Sequence, residues 1–536
     1  MGFSLNAIDI TIILSTLLIT VGVGLYASRN QGKSAKSYFL ASGQLPWYII
    51  GSAFVSTSVS SEQIVGTIGA AYRHGMGIAN NEWFTVPHYT LLMLVFVPMY
   101  LRNRITTVPD FLSRRFGPLC GDIYSWVMLV AYIVVFMVPV MYGGSFAISN
   151  LTGWDFYWVL WIMVVLIGAY AIKGGLASVM WTDAVQCIML VGGGMVLFFT
   201  ALHHTPGGWH AMIQADPDRF HLYRPVNDEM APFLGMILFV FSGGLFYQAG
   251  NQVMIQRILG ARSRWDGMMG VVFAGFVNMV RPLVTCFLGF VVYYWITHLN
   301  KNGGVPLKNQ DSAFSFVLQQ KELVGSWGLR GIVLAGFLAA VMSTISALSN
   351  STATIFSLEV YHKLINKTAS EKQLVAVGRI AAIIALALAA LLAPSVPHFG
   401  HIFGYFQTSV TYLATPFSSV ILLGVFWKRT NYQGALFGLI GGAVIMASVV
   451  VGLNLAGVHL HWFYNASIAQ VIIIVGAMAV SLATTPPSED QWKPFLWSRK
   501  WLGEITDGQS RPWYYNWVFW FVLYVMVWTY CYWLYW

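Results

Sequence analysis

The chain has 536 residues, of which 57% are hydrophobic and only 9% charged. Soluble domains carry about 25% charged residues, so a soluble protein is excluded. The formal net charge of +9 does not point to nucleic acid, because the basic residues sit in short connections between long apolar runs, the positive-inside pattern of a membrane protein.

A bilayer crossing needs about 20 apolar residues. By that rule the chain is an all-α integral membrane protein with about fourteen spans, at 8–27, 46–70, 80–101, 119–149, 155–173, 180–203, 231–256, 267–297, 328–361, 373–394, 400–427, 433–456, 462–484 and 513–536. The first, Ile8 to Ala27, has no basic residue before it and reads as a retained membrane helix rather than a cleaved signal. Arg29, Lys33 and Lys36 follow it. Arg102, Arg104, Arg114 and Arg115 follow the third span, Lys173 the fifth, and Arg257, Arg262 and Arg264 the seventh. Lys363 and Lys367 follow the ninth, Lys428 and Arg429 the eleventh, and Lys493, Arg499, Lys500 and Arg511 the thirteenth. Nearly every basic cluster thus falls on one side, which predicts a multi-pass protein of the cell membrane with both termini outside and an even number of spans. The exception is the 298–327 loop, where Lys301, Lys308 and Lys321 mix with Asp311 and Glu322; long loops translocate regardless of charge.

The second span carries the first anomaly. Ile50 to Gly69 is bilayer-long, yet its centre is Ser56-Thr-Ser-Val-Ser-Ser-Glu-Gln63. An unsatisfied polar group in hydrocarbon costs several kcal/mol, so this helix is expected to break and face a wet, protein-lined cavity. The seventh span repeats the anomaly in Phe241-Ser-Gly-Gly-Leu-Phe-Tyr-Gln-Ala-Gly-Asn251. Polar, glycine-interrupted segments in corresponding places of two halves point to the binding site of a secondary transporter. The repeat unit is then spans two to six and seven to eleven. The chain divides into 1–45 (first helix and cytoplasmic loop), 46–204 (first repeat), 205–230 (an extracellular loop), 231–430 (second repeat, with the extracellular loop 298–327) and 431–536 (peripheral helices with the linker 485–512). The last helix, Trp513 to Trp536, reads as an interfacial aromatic anchor.

The ninth span supplies hard oxygen ligands. Ala340, Ser343 and Thr344 fall at i, i+3 and i+4, one helical face. Their oxygens, with carbonyls of Ser56 and Val59 at the break, suit a small hard cation. The alternative is that these hydroxyls bond back to carbonyls of their own helix or pack small interfaces. Cys120, Cys187, Cys286 and Cys531 are scattered, with neither disulfide nor metal spacing.

Six motifs in order, Ser60-Ser-Glu-Gln-Ile-Val-Gly66, Glu82-Trp83, Gly174-Gly-Leu-Ala-Ser-Val-Met-Trp-Thr-Asp183, Asn251-Gln-Val-Met-Ile-Gln-Arg257, Asn350-Ser-Thr-Ala-Thr-Ile-Phe356 and Phe426-Trp-Lys-Arg429, resemble the sodium:solute symporter family, in its sodium/glucose branch. The resemblance implies a five-plus-five inverted-repeat (LeuT-like) core with extra peripheral helices, and sodium-driven uptake. It places the principal sodium at Ser56, Val59, Ala340, Ser343 and Thr344, and allows a second at Asp183 and Ser346. Ala347 departs from members with two sodiums, which carry a hydroxyl there, so one and two sodiums both stay open. Asp183 also reads as a helix N-terminus capped by Thr182. The resemblance places solute contacts at Gln63, Glu82, Thr85, Tyr132, Tyr247 and Gln407, with Tyr247 covering the solute's apolar face and Gln407 in a span interrupted by Gly404 and Pro416. Glu82 has a second reading, a surface carboxylate.

Two positions depart from the sugar-transporting relatives, which carry Asn at Gly244 and Lys at Asn278. Arg281, one turn on, could replace that lysine, mark an acidic solute such as a sialic or carboxylic acid, or pair with a carboxylate such as Glu82; an unpaired arginine at that depth is expensive. The expected cargo is a small polar solute, first a sugar or polyol, with sodium as the co-transported ion, the lipid bilayer as surroundings and no nucleic acid. A channel would need a lined pore. An enzyme finds no support in the dispersed His74, His88, His203, His204 and His210. A membrane solute sensor, the remote alternative, would usually add a long cytoplasmic domain.

Overall fold

Among the described residues ten helices are long and apolar enough to cross a membrane, and two pairs bent by 47° and 46° bring the number to twelve. The broken Trp47–Ser58 and Thr67–His74 and the shorter apolar Phe156–Gly168 complete the fourteen segments expected. The computed structural model describes residues 5–29, 34–320, 323, 327–399, 401–506 and 512–536. Lys33, Lys321, Glu322 and Arg511 lie outside the described residues. No strand is present among the described residues.

The outward faces of the spans are apolar where a soluble protein would be polar. Ile380, Ile384 and Leu391 of the tenth span and Val471 and Val475 of the thirteenth are half-exposed or more, as lipid contact requires, whereas Ser56, Thr57, Glu82, Asp183 and Asn278 are buried.

The breaks fall where the polar runs lie. The second span leaves helical geometry at Val59 (φ −116°, ψ 113°) and resumes through a wide π-turn, Glu62–Gly66. The seventh is interrupted after Phe239 and again at Asn251 (φ −96°, ψ 120°), with its own π-turn at Phe246–Gly250. Such turns recur in the fourth span (Tyr132–Met137) and the ninth (Ile355–Ile365), another matching pair of the two halves, and also in the third (Leu92–Phe96) and twelfth (Phe437–Gly441). Wide turns open the carbonyl ladder, often at functional sites.

Two expectations need correction. The fifth and sixth spans are joined without a loop, at Gly175 (φ 63°). A Cβ there would lie 2.6 Å from the Tyr38 carbonyl oxygen, so the positive φ and the close approach both demand glycine. The eleventh span is not interrupted: Ile402–Phe426 runs through Gly404 and Pro416. The hydroxyls of Thr411, Thr415 and Ser419 bond carbonyls one turn back at 2.6–2.7 Å, and such bonds let a membrane helix tolerate proline.

Loop contacts sort the chain into two faces. Leu222 N–H donates to the Tyr535 carbonyl at 2.7 Å, and Gly331 N–H to Asp9 Oδ1 at 2.8 Å. Tyr293, at the end of the eighth span just before loop 298–327, donates to Asp216 of loop 204–230 at 3.0 Å, so the start of the first span and the end of the last lie on the face of these loops, consistent with an even number of crossings. On the other face Glu504 pairs with Arg102 at 3.1 Å and Arg264 at 3.0 Å, and Arg115 donates to the carbonyls of Gly424 and Thr430, each at 2.9 Å.

Asp311, in the loop turn Gln310–Ser312, is buried against the second span, and burial pushes its carboxyl up from 3.8 to about 6, opposed by the Ile402 N–H. The folded protein therefore holds this proton more tightly than the unfolded chain. Its stability should fall as pH rises from about 4 to about 6, by an amount on the order of 3 kcal/mol, with no further change above. Asp311→Asn should flatten that stretch of the Tm–pH curve and raise Tm at pH 7.5; an unaltered curve would refute the assignment.

Candidate sodium and solute sites

Where the second span breaks, its last carbonyls and hydroxyls lose their in-helix partners and meet the ninth span, Leu329–Ile365. Ser56 Oγ donates to Ser343 Oγ at 2.8 Å. Ser343 Oγ donates to Asp183 Oδ1 at 2.6 Å, and Thr344 Oγ1 to the Thr57 carbonyl at 3.1 Å. Ser346 and Ser349, by contrast, bond back to carbonyls of their own helix, Ser343 at 2.9 Å and Ile345 at 2.7 Å. The two readings of the ninth-span hydroxyls therefore divide by residue: 343 and 344 reach across, 346 and 349 do not. Ala340 lies one turn before Thr344, fully buried, as are Ser56, Val59 and Ser343.

Asp183 is no helix cap. It lies inside Gly175–His203, while Thr182 Oγ1 bonds back to Ser178 and Val179. Arg257 Nη2 sits 3.2 Å from Asp183 Oδ2, with 1% and 0% of the two side chains exposed, and Arg257 Nε donates to the Ala53 carbonyl at 3.3 Å. This guanidinium comes from the last turn of the seventh span and ties it to the second and sixth.

Beside the second-span break lies a cavity of about 60 Å³ lined by Ser58, Gln63, Asn81, Thr85, His88, Phe239, Gly244, Tyr247, Gln248, Arg281, Phe406, Gln407 and Val410. Pockets for drug-sized ligands run about 300–1,000 Å³, so this one is drawn tight. Gln63, Thr85, Tyr247, Arg281 and Gln407 of the expected set line it. Gln407 Nε2 donates to Asn81 Oδ1 at 2.6 Å across the cavity. Tyr247 stands 6.5 Å from Phe406 and 6.3 Å from Phe136, forming an aromatic wall.

Glu82, Asn278 and Tyr132 stand outside that lining. Glu82 is fully buried, which removes the surface reading, and pairs with Arg281 Nη2, the pairing reading of that arginine. Thr285 Oγ1 donates to Glu82 Oε1 at 3.1 Å. Arg281 Nη1 donates to Ser58 Oγ at 2.9 Å and Asn278 Oδ1 at 3.0 Å, and Asn278 Nδ2 to Tyr89 Oη at 2.8 Å. Arg281 sits at the 46° bend ahead of Pro282, where proline removes a helical hydrogen bond. Tyr132 Oη donates to Asn251 Oδ1 at 2.8 Å and accepts from Val253 N–H at 3.2 Å; it holds the extended residue of the seventh-span break.

Sequence reasoning missed Ser58, Asn81, His88, Phe239, Gln248, Phe406 and Val410. Several had a usable signal: Asn81, Gln248 and Phe406 adjoin Glu82, Tyr247 and Gln407, and His88 lies one turn past Thr85. Among the described residues no group of three or more His, Cys, Asp or Glu is placed to hold a metal ion.

The profile of the sodium:solute symporter family matches residues 38–442. A sodium/glucose cotransporter of Vibrio parahaemolyticus is 31% identical over 90% of this chain and 92% of its own length. Sodium/glucose cotransporter 1 of rabbit (Oryctolagus cuniculus) is 29% identical over 92% of this chain and 81% of its own. Among solved structures, a substrate-bound, outward-open Na+-coupled sialic acid symporter superposes with a TM-score of 0.78 at 20% identity, covering 90% of this chain and 99% of that one; at that identity the likeness shows a shared fold.

Proposed function

The chain belongs to the sodium:solute symporter family, and we propose that it carries a sugar or polyol of hexose size into the cell with sodium, by alternating access between two five-helix repeats. The observation that carries this reading is the junction of the second and ninth spans, where Ser343 and Thr344 leave their own helix to meet Ser56 and Thr57. A sodium held by the carbonyls of Ser56, Val59 and Ala340 and the hydroxyls of Ser343 and Thr344 would clamp the broken helix in place beside the solute cavity. Loss of that ion to a low-sodium cytoplasm frees the break and with it the solute. A potential of about 100 mV contributes roughly 2.3 kcal/mol per charge, and a tenfold sodium gradient about 1.4 kcal/mol. One sodium thus sustains accumulation of several hundredfold.

The state of Arg281 favours a neutral solute. Its charge is already matched by Glu82, so a carboxylate ligand would have to break a buried ion pair, whereas a polyhydroxyl solute needs only the remaining donors and acceptors. The names of the Vibrio and rabbit relatives support the same solute class. The basic clusters, gathered on the face that carries Glu504 and Arg115, support a cell-membrane orientation with both termini outside. One sodium per solute is the favoured coupling. Asp183 is engaged by Arg257, Ser346 by its own helix, and position 347 is alanine.

Proteoliposomes test all of this. D-glucose, D-galactose and myo-inositol should include a solute whose uptake requires an inward sodium gradient, while N-acetylneuraminate should not be taken up. Current and tracer flux recorded together should give one charge per solute. A ratio of two would restore the second sodium at Asp183, and sodium-driven uptake of acids alone would overturn the solute class.

A further inference from the structure

Gly244 and His88 share one space. A Cβ added at Gly244 would lie 1.9 Å from His88 Nε2 and 2.6 and 2.7 Å from two ring carbons, so no side chain fits at 244 while the ring stays where it is. The imidazole is 5% exposed, rests edge-on against Phe239 at 5.8 Å, and lines the solute cavity beside Thr85 and Arg281. Its Nε2 nevertheless has no hydrogen-bond partner among the described residues. Leaving a buried polar atom unmet costs about 1–3 kcal/mol, a penalty that an apolar side chain in this wall would not carry. The nitrogen without a partner is the ring vertex turned toward Gly244, so this cavity wall keeps an imidazole whose polarity its own neighbours leave unused.

We propose that His88 is a specificity-determining residue whose imidazole hydrogen-bonds a hydroxyl of the bound solute, and that Gly244 provides the notch that admits the ring. The inference rests on the sugar or polyol reading above. Neutral imidazole has one donor and one acceptor nitrogen, and a hydroxyl answers either one, so the match needs no change of charge inside the membrane.

The test is sodium-driven uptake of D-glucose and its monodeoxy analogues by the wild type, His88→Phe, His88→Gln, Gly244→Ala, His88→Ala and the His88→Ala/Gly244→Ala double variant. The wild type should discriminate against one deoxy position by roughly tenfold or more at low concentration. His88→Phe should abolish that discrimination, and His88→Gln should keep part of it. Gly244→Ala should displace the ring and reproduce the loss, yet add nothing on top of His88→Ala, because the two positions act as one unit. Sodium-dependent thermal stabilisation identifies any variant that has lost its fold, and the variants that retain it carry the decision. Undiminished discrimination in a folded His88→Phe protein would overturn the inference alone. Failure of the wild type to take up any hexose or polyol would overturn the solute reading and this inference with it.

Discussion

Glu82→Ala is expected to abolish transport and to cost the fold about 3–5 kcal/mol. Glu82 is fully buried and Arg281 7% exposed, so the substitution leaves a guanidinium at membrane depth with only the neutral oxygens of Ser58 and Asn278. Removing one partner of a buried ion pair typically destabilises by that amount, because the surviving charge is uncompensated. The loss should show as a fall in Tm of several degrees in detergent, with or without solute. The double variant Glu82→Gln/Arg281→Gln removes both charges and should recover most of the Tm but none of the uptake, since Arg281 lines the cavity. That split separates scaffold from solute contact. A Glu82→Ala protein with wild-type Tm and uptake would show that the pair does neither job.

That pairing was one of three readings the residues allowed for Arg281, and the reason it stood among them is energetic. A charge in hydrocarbon is costly enough that its presence demands a partner, and Glu82 was among the few available. The spans were legible for a similar reason: a bilayer enforces about 20 apolar residues per crossing, and nothing in the interior competes with that rule. The face formed by Ser343 and Thr344 followed from helical periodicity alone. What the residues could not reveal was direction across a gap. Nothing local says that Ser343 reaches Ser56 while Ser346 bonds back to its own helix; the break at Val59 decides that, by presenting oxygen atoms from another part of the chain. Likewise His88 enters the cavity because Gly244, 156 positions away in the sequence, leaves room for it. Tyr132, expected at the solute, instead holds Asn251, because the extended residue in the seventh span exposes an amide and an N–H that need partners within the membrane. Proline in the eleventh span misled for the opposite reason: the surrounding hydroxyls satisfy carbonyls that the sequence pattern treats as broken.

Ser343→Ala combined with Thr344→Ala should weaken the apparent sodium affinity by about a hundredfold and leave uptake at physiological sodium near background. A hydrogen bond or ligand contact involving a charged group is worth about 1.5–3 kcal/mol, and two such oxygens at the lower end of that range, about 3 kcal/mol together, correspond to that factor. The same change removes the hydroxyl between Ser56 and Asp183 and frees the Thr57 carbonyl, so the break in the second span loses its attachment to the ninth. Ser349→Ala is the internal control. It deletes a buried hydroxyl from the same helix, but one bonded to the Ile345 carbonyl of that helix, and sodium half-saturation should stay within twofold of wild type. Sodium activation curves for the three proteins decide between a specific ion site and a general need for hydroxyls in this helix. If the double variant and the control shift alike, the oxygens at 343 and 344 hold no ion. If only the double variant shifts, the ion sits where the broken helix meets its neighbour, and solute coupling follows from the cavity that shares Ser58 with that break.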